Sequence, residues 1–190
     1  MRLHGLVYRA HNPRWAFAPT SGAGAARYGG RFNPVGMPAL YTSRRVETAW
    51  LEAQQGLAFK AQLLTLCAYQ VDCADVLDLN DSAVRAEHRI EDADLACAWE
   101  DLASRQLTPP TWEIAQRLVA AGVAAIIVRS FAAGATSSDH NVVFWTWSDV
   151  PPHQVTVIDD HFRLPRDDSS WRTVPRHGGF DGLHAGLVSL

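Results

Sequence analysis

A chain of 190 residues and 20.9 kDa, 47% apolar and 19% charged, holds enough material for one domain with a real core and too little for two. A net charge of -3 and a pI near 6.2 exclude a global basic field that would draw it to nucleic acid or an anionic membrane. No run approaches the roughly 18 apolar residues that a bilayer span needs. The three cysteines, Cys67, Cys73 and Cys97, are odd in number and lack CxxC spacing, which argues against a disulfide framework or a zinc knuckle. The N-terminal segment has no long apolar stretch before a small-residue cleavage site and does not read as a secretory signal. A reducing cytoplasm is the expected compartment, and no membrane or direct nucleic-acid partner is expected.

In chain order, Leu3 to Arg9 reads as a strand. His11 to Pro38 reads as a loop of a length that is usually functional or mobile. Ala39-Leu40-Tyr41 is a short strand, after which Thr42 or Ser43 caps a helix from about Arg44 to Leu57. Val46, Ala49, Trp50, Ala53 and Leu57 recur at helical spacing and predict its apolar face. Strands follow at Leu63–Val71 and Val76–Leu79, and Ser82–Leu107 is mostly helical in character. Thr108-Pro109-Pro110 starts a helix that runs to Ala121 and stops at Gly122. Val123–Val128, Asn141–Trp147 and Val155–Ile158 complete the strands.

The order has no internal repeat and no regular βαβ alternation. It predicts an α+β fold: a single compact domain with a mixed, mostly antiparallel sheet flanked by helices. The domain is expected over residues 1–166. Residues 167–190, poor in large apolar side chains, read as a flexible C-terminal tail.

Chemistry concentrates in a few places. In Arg27-Tyr28-Gly29-Gly30-Arg31-Phe32-Asn33-Pro34, two glycines let the backbone turn sharply, and exposed N–H groups there would form an anion nest beside the forked cation of Arg31. This is neither a Walker loop nor a dinucleotide fingerprint, since no GK[ST] follows and the glycine spacing fails. The plain alternative is a Gly-Gly turn with a solvated arginine. Tyr41 ends a strand, where an aromatic either stacks on a planar ring or packs in the core. Glu52 falls at the border of the helical apolar stripe, about 120° from its centre, and Glu47 at the opposite border. Either is a catalytic carboxylate or a solvated surface residue. Ser130 and Asn141 sit at strand ends, suited to orienting hydrogen bonds or to capping turns. The histidines form no HExxH or HxxxH pair and no nucleophile elbow occurs, so no metal and no Ser or Cys triad is expected.

Together, RYGGRFNPVGMPALYTS, a helix carrying AWLE, then VRSF and HNVVFW resemble the RES-domain family, from about Tyr8 to Ile158. These are bacterial toxins of toxin–antitoxin pairs, named for an Arg, a Glu and a Ser. By the match those residues are Arg31, Glu52 and Ser130, with Tyr41 as a further site residue. Phe32 stands where a tryptophan is common.

The resemblance implies a fold similar to ADP-ribosyltransferase toxins, with NAD⁺ as a consumed substrate and no resident cofactor. In the implied roles, Arg31, Glu52 and Tyr41 are catalytic. Arg31, Tyr41, Ser130 and Asn141 contact NAD⁺. Arg31 holds the pyrophosphate or nearby ribose oxygens, and Tyr41 stacks on nicotinamide. The implied partner is an antitoxin with a helix-turn-helix domain and a segment that occludes the active site. Three other readings stay open: mono-ADP-ribosylation of a cellular protein, an RNA-targeting toxin using Arg31, Tyr41 and a histidine such as His140, and a non-catalytic interaction module.

Overall fold

The computed structural model describes residues 1–54 and 63–172. Among them, seven strands form one sheet in the order β4-β5-β6-β2-β1-β3-β7. The strands are β1 (Leu3–His11), β2 (Leu40–Ser43), β3 (Thr65–Cys73), β4 (Val76–Asp78), β5 (Ala125–Arg129), β6 (His140–Phe144) and β7 (His153–Val157). Only β4 and β5 pair in parallel; every other neighbour is antiparallel. The fold is therefore α+β with a mixed, mostly antiparallel sheet, as the absence of βαβ alternation predicts.

Alternation along the strands divides the core in two. Leu40, Ile127, Val142 and Phe144 join Val7, Tyr69 and Val71 in one cluster. Their neighbours Tyr41, Ile126, Val128 and Val143 turn to the other face, toward Leu95, Ile114 and Leu118. That second face is covered by α6 (Pro110–Ala120), which buries Thr111, Ile114, Ala115 and Leu118. Gly122 follows its end at φ +85°, the left-handed turn its position suggests.

Several elements differ from expectation. The stretch between His11 and Pro38 is not continuous loop: it holds a 3₁₀ turn (Pro13–Trp15) and α1 (Ala23–Tyr28). Its glycines mask a run of good helix formers, and Gly29 at φ +76° ends the helix. The expected Arg44–Leu57 helix is α2 (Val46–Ala53), and Leu57 lies outside the described residues. Neither Thr42 nor Ser43 caps it, because both belong to β2 and bond across to β6; the N-cap is Arg45, with no side-chain cap. Ser82–Leu107 is three short helices, α3 (Ser82–Glu87), α4 (Asp92–Leu95) and α5 (Trp99–Ser104), separated in part by Arg89 at φ +52°. The segment expected as a tail begins with α7 (Ser169–Arg172), and its remainder, 173–190, lies outside the described residues.

Candidate active site

Four adjacent strands bring residues together at one place. Ser130 follows β5, Asn141 lies in β6, Ser43 ends β2, and Tyr8 of β1 is the register partner of Ser43. Asn141 is likewise opposite Ser43. Above them lies α2, whose buried residues are Thr48, Ala49, Glu52 and Ala53.

That face departs from the apolar stripe read in the sequence. Val46 and Trp50 are 39% and 42% exposed, while Glu52 is 7% exposed. The helix is turned so that a carboxylate and a hydroxyl face the protein. This is tolerable only because both are hydrogen-bonded. Glu52 Oε1 accepts the Ser130 hydroxyl at 2.6 Å and the Asn141 side-chain amide. Asn141 Oδ1 in turn accepts the Ser43 hydroxyl at 2.7 Å, and Ser130 Oγ also accepts the Ala132 N–H at 3.2 Å. Glu47, the rival on the other border, is exposed and faces Arg45 at 3.5 Å.

Glu52 lies at the wall of a small cleft lined also by Tyr8, Arg9, Ala10, Tyr41, Thr42, Ser43, Ala49 and Asn141. Among the candidate residues, Tyr41, Glu52 and Asn141 line this cleft, and Ser130 reaches it through Glu52.

The GGRFN turn is wired to itself. Gly30 N–H donates to the Asn33 carbonyl at 2.9 Å, and Asn33 N–H returns to the Gly30 carbonyl at 3.3 Å. The Asn33 side-chain amide donates to the carbonyls of Ala25, Pro34 and Met37. Trp112 and Trp145 pin the turn from outside through the Gly30 and Phe32 carbonyls. Tyr41 donates its hydroxyl to Asn33 Oδ1 at 2.8 Å and accepts the Phe32 N–H at 2.9 Å. Burial dominates and drives the Tyr41 pKa far above its ordinary value, so it stays a neutral phenol. The expected anion nest is thus not formed: the N–H groups of Gly29, Gly30, Phe32 and Asn33 all have internal acceptors.

What the turn does is project Arg31. Its Nη1 donates to the carbonyls of Leu95 and Cys97 at 3.2 and 2.7 Å, and its guanidinium lies 4.4 Å above the Phe131 ring. Arg129 stacks on the same ring at 4.9 Å and pairs with Asp92. Arg31 is not a lining residue of the cleft, but its charge is felt by both Tyr41 and Glu52. Burial lowers its pKa, with Cys97, Glu52 and Tyr41 opposing. The Nε–H and the Nη2 pair are what remain to it for an anion.

Sequence reasoning passed over Arg9 and Ser43. Arg9 lines the cleft, donates through Nη1 to the carbonyls of Pro19 and Ser21, and has a buried Nε without a partner. An arginine inside an apolar strand carries no local signal for this; only the pairing of β1 with β2 brings it to the site. Among the described residues no group of three or more His, Cys, Asp or Glu is placed to hold a metal ion.

A family model, the RES domain, matches residues 6–167. No curated protein matches the chain in sequence. Among solved structures, a chain of the M.tuberculosis MbcT–MbcA toxin–antitoxin complex is similar over 84% of each chain, with 20% identity and a TM-score of 0.57. That likeness is one of fold.

Proposed function

The chain belongs to the RES domain family, and from that premise we propose that it is the toxin of a toxin–antitoxin system that consumes NAD⁺ by cleaving the bond between nicotinamide and ribose. The observation that carries the reading is a nearly buried carboxylate, Glu52, held by Ser130 and Asn141 at the wall of a small cleft. Breaking that bond leaves positive charge on the ribose, as in glycoside cleavage. A fixed carboxylate beside the ribose carbon stabilises that charge without having to reorganise. The bonding pair departs with nicotinamide, and an oxygen of water or phosphate adds to the same carbon.

The neighbours divide the remaining work. Ser130 and Asn141 fix one oxygen of Glu52, and Ser43 fixes Asn141. The Tyr41 hydroxyl is committed to Asn33 and Phe32, so it is the ring that meets nicotinamide. Arg31, held rigid by two carbonyls and an aromatic face, offers its remaining N–H groups to pyrophosphate or ribose oxygens. The partner in this reading is an antitoxin whose segment enters the cleft; the solved chain of similar fold is itself part of a toxin–antitoxin complex.

The test is product analysis after incubation with NAD⁺ in buffer, in phosphate, and with cell extract. ADP-ribose, ADP-ribose-1″-phosphate and labelled protein respectively identify hydrolysis, phosphorolysis and protein modification. Intact NAD⁺ in all three overturns the reading.

A further inference from the structure

Thr48 and Glu52 stand one turn apart on α2, and both grip the same connection between β5 and β6. Thr48 is fully buried, and its hydroxyl donates to Asp139 Oδ1 at 2.5 Å. Asp139 is 4% exposed, and its Oδ2 takes the backbone N–H and the hydroxyl of Thr136 at 2.8 and 2.7 Å. Its backbone carbonyl accepts the Ser130 N–H at 2.7 Å. Arg45, just before α2, reaches Asp139 Oδ1 at 3.6 Å and Ser138 Oγ at 3.0 Å. Asp139 is two residues from Asn141, and neither it nor Thr48 lines the cleft.

We propose that the Thr48–Asp139 bond is a positioning device for Glu52, fixing the roll of α2 against the segment that carries Ser130 and Asn141. Glu52 Oε1 must meet two donors at once, one just after β5 and one within β6. Beside the packing of the small side chains Ala49 and Ala53, the bonds at Glu52 fix α2 at one point of its polar face. A second polar anchor one turn earlier, on the same loop, fixes the roll of the helix about that point. The helix has no side-chain N-cap to do this job. Asp139 suits the role because its side chain holds the helix while its main chain holds Ser130, so the helix that carries Glu52 and one of its donors are referred to one residue. Displacement of a reacting group by about 1 Å can cost roughly 10²-fold in rate. The consequence for activity rests on the NAD⁺ reading; the geometric consequence does not.

The experiment uses the full chain with Thr48→Val, Thr48→Ser and Asp139→Asn. It reads kcat and KM for NAD⁺, the thermal midpoint, and the NMR signals of the Asn141 side-chain amide. Thr48→Val keeps volume but removes the donor, and kcat is expected to fall roughly tenfold or more with KM within about twofold. The Asn141 amide signals move with it. Thr48→Ser restores the donor and recovers most of the turnover and the wild-type amide signals. Asp139→Asn, with one acceptor oxygen where two are used, falls between. Wild-type kcat in folded Thr48→Val, or equal losses in Val and Ser that track the thermal midpoint alone, overturns the proposal. If Thr48→Val does not fold, Asp139→Asn decides by the same two criteria, kcat and the amide signals. If the wild-type chain leaves NAD⁺ intact, the reaction reading falls and the amide signals alone decide; unchanged signals in Thr48→Val then overturn the positioning role.

Discussion

Glu52 is where a single atom separates the catalytic from the structural account. Glu52→Gln keeps its shape and an oxygen for Ser130 and Asn141 to donate to, while the charge is lost. Loss of a preorganised electrostatic contact of this kind typically costs about 2.7–4 kcal/mol, or roughly 10²–10³ in turnover. Nucleotide affinity should change far less, since the ribose charge appears only in the transition state. Glu47→Gln is the control: exposed and facing only Arg45, it should stay within about 0.5 kcal/mol in stability and near wild type in turnover. Turnover and affinity measured on both variants decide the matter. Equal turnover in Glu52→Gln and wild type would remove the carboxylate from the mechanism. Arg31→Lys poses a parallel question. An ammonium can replace the positive charge but neither the planar stack on Phe131 nor a forked pair of donors. Turnover is expected to drop severely, and a lysine variant with full activity would refute a bidentate role.

Arg31, Tyr41, Glu52, Ser130 and Asn141 are legible in the sequence as candidates, Arg9 and Ser43 are not, and the geometry of none of them is. Glu52 reads there as a border position because periodicity counts apolar residues, and α2 buries a threonine and a glutamate instead. A polar face packs inward only when partners exist, and those partners, Ser130, Asn141 and Asp139, lie 78 to 91 positions away. Among the elements, long strands were read best, with ends shifted by a few residues. The helix hidden in the glycine-rich stretch and the breaks within Ser82–Leu107 were not, since short helices owe their limits to tertiary contacts. The GGRFN turn shows the same dependence. A Cβ on Gly30 would stand 2.5 Å from the Tyr41 hydroxyl oxygen and 2.7 Å from Asn33 Oδ1. Gly30→Ala should therefore break the Tyr41–Asn33 bond and release the turn, at about 1–3 kcal/mol of stability. Chemical denaturation measures this, and an unchanged midpoint would show that the turn shifts without strain.

At the scale of the whole molecule, acid sensitivity has a specific source in His11. It is 7% exposed, and neither ring nitrogen has a hydrogen-bond partner. Burial, aided by the neighbouring charge of Arg9, lowers its pKa from 6.5 to about 4. Between those values the unfolded chain binds a proton here that the native chain refuses. Stability is thus intact above pH 6.5 and falls as pH drops toward 4, by at most about 1.4 kcal/mol per pH unit from this group. His11→Leu removes the titration, so its stability curve should be flatter than wild type across that window. Parallel curves from pH 7 to pH 4 would acquit His11.

The site's exposure to solvent carries the last expectation. On the proposed reading the chain drains NAD⁺ and must be silenced in the cell that makes it. The feature available for silencing is the cleft itself, with Arg31 close enough to influence Glu52 and Tyr41. A carboxylate or phosphate mimic on an inserted segment that reaches past the cleft would find the charge-assisted donors of Arg31. Wild-type chain expressed alone should therefore arrest growth and lower cellular NAD⁺, and co-expression with its antitoxin should restore both. Glu52→Gln expressed alone should be tolerated while still binding the same partner, because its shape and the cleft are preserved. Purified complex should lose NAD⁺ turnover in proportion to partner added, and Arg31→Ala should weaken partner binding as well as substrate use. Free expression of the wild-type chain with unchanged NAD⁺ would sink the toxin reading. Full partner affinity in Arg31→Ala would instead leave the toxin reading standing and place the inhibitory contact elsewhere on the surface.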